Sequence, residues 1–279
     1  KPVYVALLGT RLPVIGVHHA FGDYRRLSRK LFANCFKGRL ALLGVSNAVR
    51  DDMRESLPAW PAGRIETLYN RIDIQALQAA LLDRDAAREA LGLPRDAWVV
   101  GNVGRLHPDK DQATLIRGFA QALPQLPAGS LLAIMGSGRL EASLKDLARE
   151  LNVAGSVLFL GQVPGGRRFF RAFDVFALTS DHEPFGMVLL EAMAAGVPVI
   201  GSDCGGGREV LEGVGVLFPL ADSAALAAAL RHMAGLEGEQ RALCVTLMLQ
   251  RLEAYFSDRA VREAFWRLPL VVGERGLVP

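Results

Sequence analysis

The chain has 279 residues, 51% of them hydrophobic and 22% charged, with 29 glycines and 14 prolines, the make-up of a folded globular protein long enough for two domains. Its 32 basic and 29 acidic residues leave a formal charge of +3, too slight to argue for nucleic acid. Cys35, Cys204 and Cys244 are odd in number and widely spaced, which points away from a disulfide framework or a zinc site and towards a reducing cytosol, and no apolar run reaches the roughly 18 residues of a membrane span.

In chain order, Lys1 stands where Met is usual, and residues 3–8 read at once as a buried strand or apolar helix, so a start is expected to be missing. A strand over 14–17, a basic helix over 24–36, a strand over 40–45 and a helix opened by Ser46 or Asn47 follow. The helix puts Leu27, Leu31 and Cys35, beside Phe32 and Phe36, on one side, and residues 25–39 are rich in Arg and Lys. That pattern suits contact with anionic lipid or a phosphorylated acceptor, and equally a domain helix that buries its apolar side. Residues 74–94 read as a helical connector. Asp83-Arg84-Asp85, and later Asp109-Lys110-Asp111, spell D-x-D, but both sit in charged stretches and read as solvated charge rather than a metal site.

From residue 97 onward short β-branched runs alternate with amphipathic segments, the pattern of βα units that build a parallel sheet. Strands are expected over 98–103, 131–135, 157–160, 175–179, 197–200 and 214–217. Helices are expected near 112–122, 140–151, 167–172, 186–195 and 223–234, and one or two long helices over 243–268. Ligands of such a sheet lie at the carboxyl ends of its strands.

The densest constellation is His182-Glu183-Pro184-Phe185-Gly186-Met187 running through Val188 to Glu191 and on to Ala194-Ala195-Gly196-Val197-Pro198-Val199-Ile200. A strand ends near Thr179, a loop presents Glu183, and a helix starts near Phe185 with free amides that suit a phosphate. Glu191, one to two turns along, can reach the hydroxyls of a ligand lying across the helix start.

Glu183 through Glu191 resembles the E-x7-E signature of the retaining glycosyltransferases of family four, and the A-x-G-x-P-V-I that follows fits the same family. Gly101-Asn102-Val103-Gly104-Arg105-Leu106 with Lys110 is similar to its G-R-L loop and lysine. Gly136-Ser137-Gly138 resembles its G-x-G turn, Phe159-Leu160-Gly161 its F-x-G, and Gly205-Gly206-Gly207-Arg208-Glu209 its G-G-x-x-E. Val45-Ser46-Asn47 and Asn70-Arg71-Ile72-Asp73 match the close of its amino-terminal domain. Tyr69 stands in place of Pro, and Asp111 where Gly is commoner.

The resemblance implies an α/β chain of GT-B type, two Rossmann-like doubly wound domains with the first incomplete. Residues 1–92 are the partial acceptor-side domain and connector, 93–240 the donor domain, and 241–279 terminal helices folding back toward the first domain. It implies transfer of a hexose with retention from a nucleoside diphosphate sugar, here UDP-linked, to a saccharide or lipid-linked acceptor. No metal or other cofactor is required, because Arg105 and Lys110 carry the positive charge that holds the leaving diphosphate. Glu183 orients or stabilises the sugar, and His18 faces it, with the roles of His18 and neighbouring His19 left open. The donor-binding set is Gly104, Arg105, Lys110, Gly136, Val163, Glu183, Phe185, Gly186, Met187, Val188 and Glu191, with Val163 placed at the base by the resemblance alone. The expected setting is bacterial lipopolysaccharide or envelope polysaccharide assembly, cytoplasmic or on the inner face of the membrane.

In that family the first strand leads into a glycine-rich loop, and none precedes Val3. The chain as given is therefore expected to bind a nucleoside diphosphate yet transfer poorly, with residues 1–75 its less stable part. Two rivals stand beside this. A dinucleotide-dependent oxidoreductase shares the sheet type but needs a G-x-G-x-x-G, whereas Gly136-Ser137-Gly138 runs into Arg139-Leu140-Glu141. A module that binds sugar nucleotides without turning them over is the other.

Overall fold

The computed structural model describes residues 10 and 12–272. Residues 3–8, and residues 273–279 of the expected terminal stretch, lie outside the described residues. The chain divides into two compact units. One holds the described residues up to Asn70 and those from Arg259 on; the other is Arg71–Asp258.

In the first unit, β1 (Val14–His18), α1 (Leu27–Phe36), β2 (Leu40–Gly44), α2 (Asn47–Ser56) and β3 (Ile65–Thr67) follow one another. The strands form a parallel sheet in the order β1-β2-β3, in register at Val14 with Leu40 and at Leu42 with Ile65. β2 is buried along its whole length, as a central parallel strand requires. Ser46 caps α2, its hydroxyl accepting from the Val49 amide at 3.1 Å.

α1 starts at Leu27 rather than at 24. The residues before it form a turn in which Asp23 and Tyr24 bond to His18, and the Gly22 amide donates to Asp52 at 2.7 Å. The helix buries Ala33 and half-buries Phe32 and Phe36, but Leu27, Leu31 and Cys35 are exposed. Of the apolar side, the row Leu27, Leu31 and Cys35 is thus turned outward, while Phe32 and Phe36 are partly covered.

The second unit opens with α3 (Ile74–Ala80) and α4 (Arg84–Leu91), capped by Asp73 and Asp83. Then come β4 (Val99–Val103), α5 (Gln112–Ala122), β5 (Leu131–Met135), α6 (Glu141–Glu150), β6 (Val157–Gly161), β7 (Val175–Leu178), α7 (Met187–Ala194), β8 (Val199–Ser202), α8 (Gly205–Leu211), β9 (Val216–Phe218), α9 (Ser223–Ala234) and α10 (Gly238–Arg251). The expected helix at 167–172 is a 3-10 turn, Gly166–Ala172, and of the one or two long helices expected over 243–268 the structure has two, α10 and α11 (Asp258–Arg267), joined by a wide turn, Leu252–Phe256. All six strands are parallel, in the order β6-β5-β4-β7-β8-β9. β7 and β8 are wholly buried, and Leu115, Ile116, Phe119, Leu226 and Leu230 close the core on the face of α5 and α9. Each such side chain contributes about 1.5–3 kcal/mol by leaving water.

The connector helices α3 and α4 lie in the second compact unit. Arg88 on α4 is fully buried. Its guanidinium donates to the carbonyls of Ala172 at 2.9 Å, Pro94 at 3.1 Å, Arg95 at 2.7 Å and Ala97 at 2.7 Å, and to the Asp174 carboxylate at 2.7 Å. Burial pushes its pKa down, with Asp174 opposing.

Candidate functional site

From β4 the chain steps outward to β6 and then returns to β7 on the other side of β4. A reversal of this kind opens a crevice at the carboxyl ends of the two central strands. The loops leaving β4 and β7 line it.

After β4 the chain passes Gly104, Arg105 and Leu106 into a 3-10 turn, Pro108–Lys110. Asp111 follows at φ +42°, a left-handed conformation that suits the Gly commoner there; Asp111 compensates by capping α5, its carboxylate accepting from the Thr114 amide at 3.2 Å. The G-x-G turn packs against this loop at contact distance. Gly136 has φ +144°, and a Cβ there would lie 1.8 Å from the Gly104 carbonyl oxygen; one at Gly138 would lie 2.4 Å from that of Leu106. The Leu106 amide donates to the Ser137 carbonyl at 3.0 Å. The glycines are thus needed to let two loops touch.

Two bonds tie the β4 and β7 loops together: the Asp181 amide donates to the Asp109 carbonyl at 3.1 Å, and the Thr179 hydroxyl donates to the Lys110 carbonyl at 2.8 Å. Lys110 Nζ then donates to Glu183 Oε2 at 2.8 Å, with side-chain exposures of 20% and 10%. The Ser180 hydroxyl donates to the same oxygen at 3.2 Å. Beyond Glu183, Gly186 adopts φ +97° and starts α7 with no side-chain cap, so the first amides of the helix, at Met187 and Val188, are left for a ligand.

The structure brings Lys110, Glu183, Gly186 and the start of α7 together. Arg105 stands apart from the Lys110–Glu183 pair: its side chain is 74% exposed and meets Asp109 at 3.5 Å. Asp109 also bonds His107 Nδ1, so the acids of this D-x-D are engaged in pairing and capping. The Phe185 ring is buried edge-on against Phe256, centroids 5.7 Å apart, and offers a ligand only its backbone. Glu191 is half-buried on α7, where burial pushes its carboxyl above the ordinary 4.5 and Arg167 pulls partly the other way. Val163 is half-buried in the loop after β6. Among the described residues no group of three or more His, Cys, Asp or Glu is placed to hold a metal ion. No described helix is long and apolar enough to cross a membrane.

In the first unit, His18 rather than His19 carries contacts. His18 Nδ1 bonds Asp23 Oδ2 at 2.8 Å, the Tyr24 hydroxyl meets Nε2 at 3.1 Å, and His19 is exposed. A cavity of about 340 Å³ is lined by His18, Asp23, Tyr24, Ser28, Arg29 and Phe32.

A parallel sheet whose switch point carries a lysine–carboxylate pair beside an uncapped helix start is a Rossmann-like binding domain suited to an anionic, hydroxyl-bearing ligand. The chain belongs to the family of glycosyl transferases group 1, whose model matches residues 83–244, more than half of its length. It is 40% identical over 150 residues to a D-inositol 3-phosphate glycosyltransferase of Rhodococcus opacus, a match covering 49% of this chain and 34% of that protein. It is 32% identical over 183 residues to the lipopolysaccharide core biosynthesis glycosyltransferase LpsE of Rhizobium meliloti, covering 65% of this chain and 52% of that one. The chain thus spans between a third and about half of these curated relatives. Among solved structures it is similar to Anabaena HepE in complex with UDP and glucose, with a TM-score of 0.78, 23% identity, and coverage of 94% of this chain and 72% of that one. This likeness shows the fold: α/β of GT-B type, with two Rossmann-like sheets.

Sequence reasoning missed the hydroxyl residues behind the site, Thr179, Ser180 and Ser202. The signal was there, a Thr-Ser pair at a strand end three residues before an acid, but small polar residues after a strand read first as a loop.

Proposed function

We propose that this chain carries the donor site of a retaining glycosyltransferase of family four, using the E-x7-E pair Glu183 and Glu191, which moves a hexose from UDP to an acceptor hydroxyl. The observation that carries this reading is the Lys110–Glu183 contact at 2.8 Å beside the uncapped start of α7, cation and carboxylate side by side where a sugar diphosphate needs one of each. The donor is taken by residues 93–240. Amides of Gly186, Met187 and Val188 with Lys110 and Arg105 hold the diphosphate, Gly104 and Gly136 let the loops approach it, Val163 meets the base, and Glu191 bonds sugar hydroxyls. The acceptor oxygen attacks the face that the diphosphate leaves, and Glu183 stabilises the positive charge that develops on the sugar. Within the first unit, the ring of His18 is held by Asp23 at 2.8 Å. No metal or other cofactor takes part.

The relatives named for inositol phosphate and lipopolysaccharide core transfer support a saccharide or lipid-linked acceptor in bacterial envelope assembly. The exposure of Leu27, at 70%, and Leu31, at 58%, among the basic residues of 25–39 supports a place on the inner face of the membrane, against anionic lipid.

Calorimetric titration with UDP and with NAD tests the donor site, and UDP-glucose hydrolysis tests turnover. UDP should bind and NAD should not. Glu183→Gln should keep UDP binding and lower hydrolysis by about two orders of magnitude or more, the scale of losing a charge-stabilising group. Tighter binding of NAD than of UDP, or normal hydrolysis by that variant, would refute the assignment.

A further inference from the structure

We propose that Ser180 is a positioning residue that sets which oxygen of Glu183 is offered to the donor sugar. Three observations converge on it. Ser180 is fully buried, and its hydroxyl donates to Glu183 Oε2 at 3.2 Å. Lys110 Nζ donates to that same oxygen at 2.8 Å, and Oε1 accepts no hydrogen bond among the described residues. The serine is itself held from behind, its carbonyl accepting from the Ser202 hydroxyl at 2.5 Å and from the Cys204 thiol at 3.0 Å, while the Gly206 amide fixes the Glu183 carbonyl at 2.8 Å.

The last torsion of a glutamate side chain is broad and nearly two-fold, so an untethered carboxylate exchanges its oxygens freely. Two donors on one oxygen remove that freedom, leaving the other oxygen to a ligand. The serine matters most once the donor is present. If the diphosphate draws on Lys110, as the donor-site reading holds, Ser180 becomes the donor that still keeps Oε2 in place. The inference rests on that reading and adds to it a residue outside the reacting groups.

The test is calorimetry on this chain with UDP and UDP-glucose, using the unaltered protein, Ser180→Ala, Ser180→Thr and Glu183→Gln, with thermal unfolding of each. Ser180→Ala should bind UDP within about twofold of normal and lose about five- to tenfold in affinity for UDP-glucose, the effect of one buried hydrogen bond. Ser180→Thr, which keeps the hydroxyl, should restore the sugar-dependent part. Where its added methyl lowers the melting temperature, Ser180→Cys, a weaker donor of similar size, should fall between serine and alanine. A merely structural serine would weaken both ligands together, and that result overturns the proposal. So does an unchanged ratio in Ser180→Ala when Glu183→Gln alters it, and in that case the donor-site reading stands. If Glu183→Gln also leaves the ratio unchanged, or neither ligand binds, the reading of Glu183 as the sugar's partner falls and the proposal with it.

Discussion

Replacing Lys110 with alanine removes one half of an ion pair that water barely reaches. At 2.8 Å, with an effective dielectric constant of about 20, the gross attraction to Glu183 is about 6 kcal/mol. Desolvation of both groups cancels most of it, and the 20% exposure of the lysine side chain lets solvent screen part of the rest. What the variant exposes is the orphaned carboxylate, left with Ser180 as its donor, so a loss of about 1–3 kcal/mol in urea unfolding is expected, below the 3–5 kcal/mol of a fully buried pair. Glu183→Gln in the same chain should return part of that loss, because a neutral amide needs no counter-charge. UDP affinity should fall about ten- to a hundredfold in Lys110→Ala, the loss of one charge-assisted hydrogen bond to phosphate. Unchanged UDP affinity would place the diphosphate elsewhere. A double variant as unstable as the two single losses added together would show that the pair carries no coupling.

Two further outcomes follow, one from a single residue and one from a cluster of four. Burial raises the Glu191 carboxyl above its ordinary 4.5, so the folded state holds its proton more tightly than the unfolded chain. The associated stability is fully present below about pH 4.5 and is lost as pH rises through the raised value. Glu191→Gln should therefore melt higher than the unaltered protein at neutral pH and match it near pH 4, while binding UDP-glucose less well; equal differences at both pH values would remove burial as the cause. At and just before α1, neutralising Arg25, Arg26, Arg29 and Lys30 should lower sedimentation with anionic vesicles and leave the remaining binding insensitive to salt, whereas equal binding to neutral vesicles at high salt would contradict a charged lipid surface.

The second sheet was legible because βα units announce themselves locally: a β-branched run, a turn, a segment of period 3.6. The helices expected near 112–122 and 223–234 have those bounds in the structure, where Asp111 and Asp222 cap them. Strand order was not, because pairing of β4 with β7 spans more than 70 residues and leaves no mark on either strand. α8 was not expected, since Gly205, Gly206 and Gly207 have poor helix propensity; Gly206 packs under the Pro184 carbonyl, where a Cβ would sit 2.3 Å from the oxygen. Arg88 looked like one more charge in a solvated helix, since nothing in its neighbours shows that four carbonyls and an acid from elsewhere in the chain converge on it. Motif spacing drew attention to Lys110 and Glu183, but the tie between them comes from Thr179 and Asp181, whose roles depend on the loops' approach.

The Ile72–Ser257 bridge and the Arg71–Asp258 ion pair have a consequence for how the chain can be cut and rejoined. They clasp the two ends of Arg71–Asp258 to each other, and in chain order this unit is an insertion: the chain leaves the first unit at Asn70 and returns to it at Arg259. An inserted domain with adjoining ends can be excised as one continuous piece or recircularised with a new opening in a surface loop. A fragment begun at residue 93, by contrast, would lack Arg88 and leave the carbonyls of Ala97 and Ala172 and the Asp174 carboxylate without the guanidinium that now satisfies them.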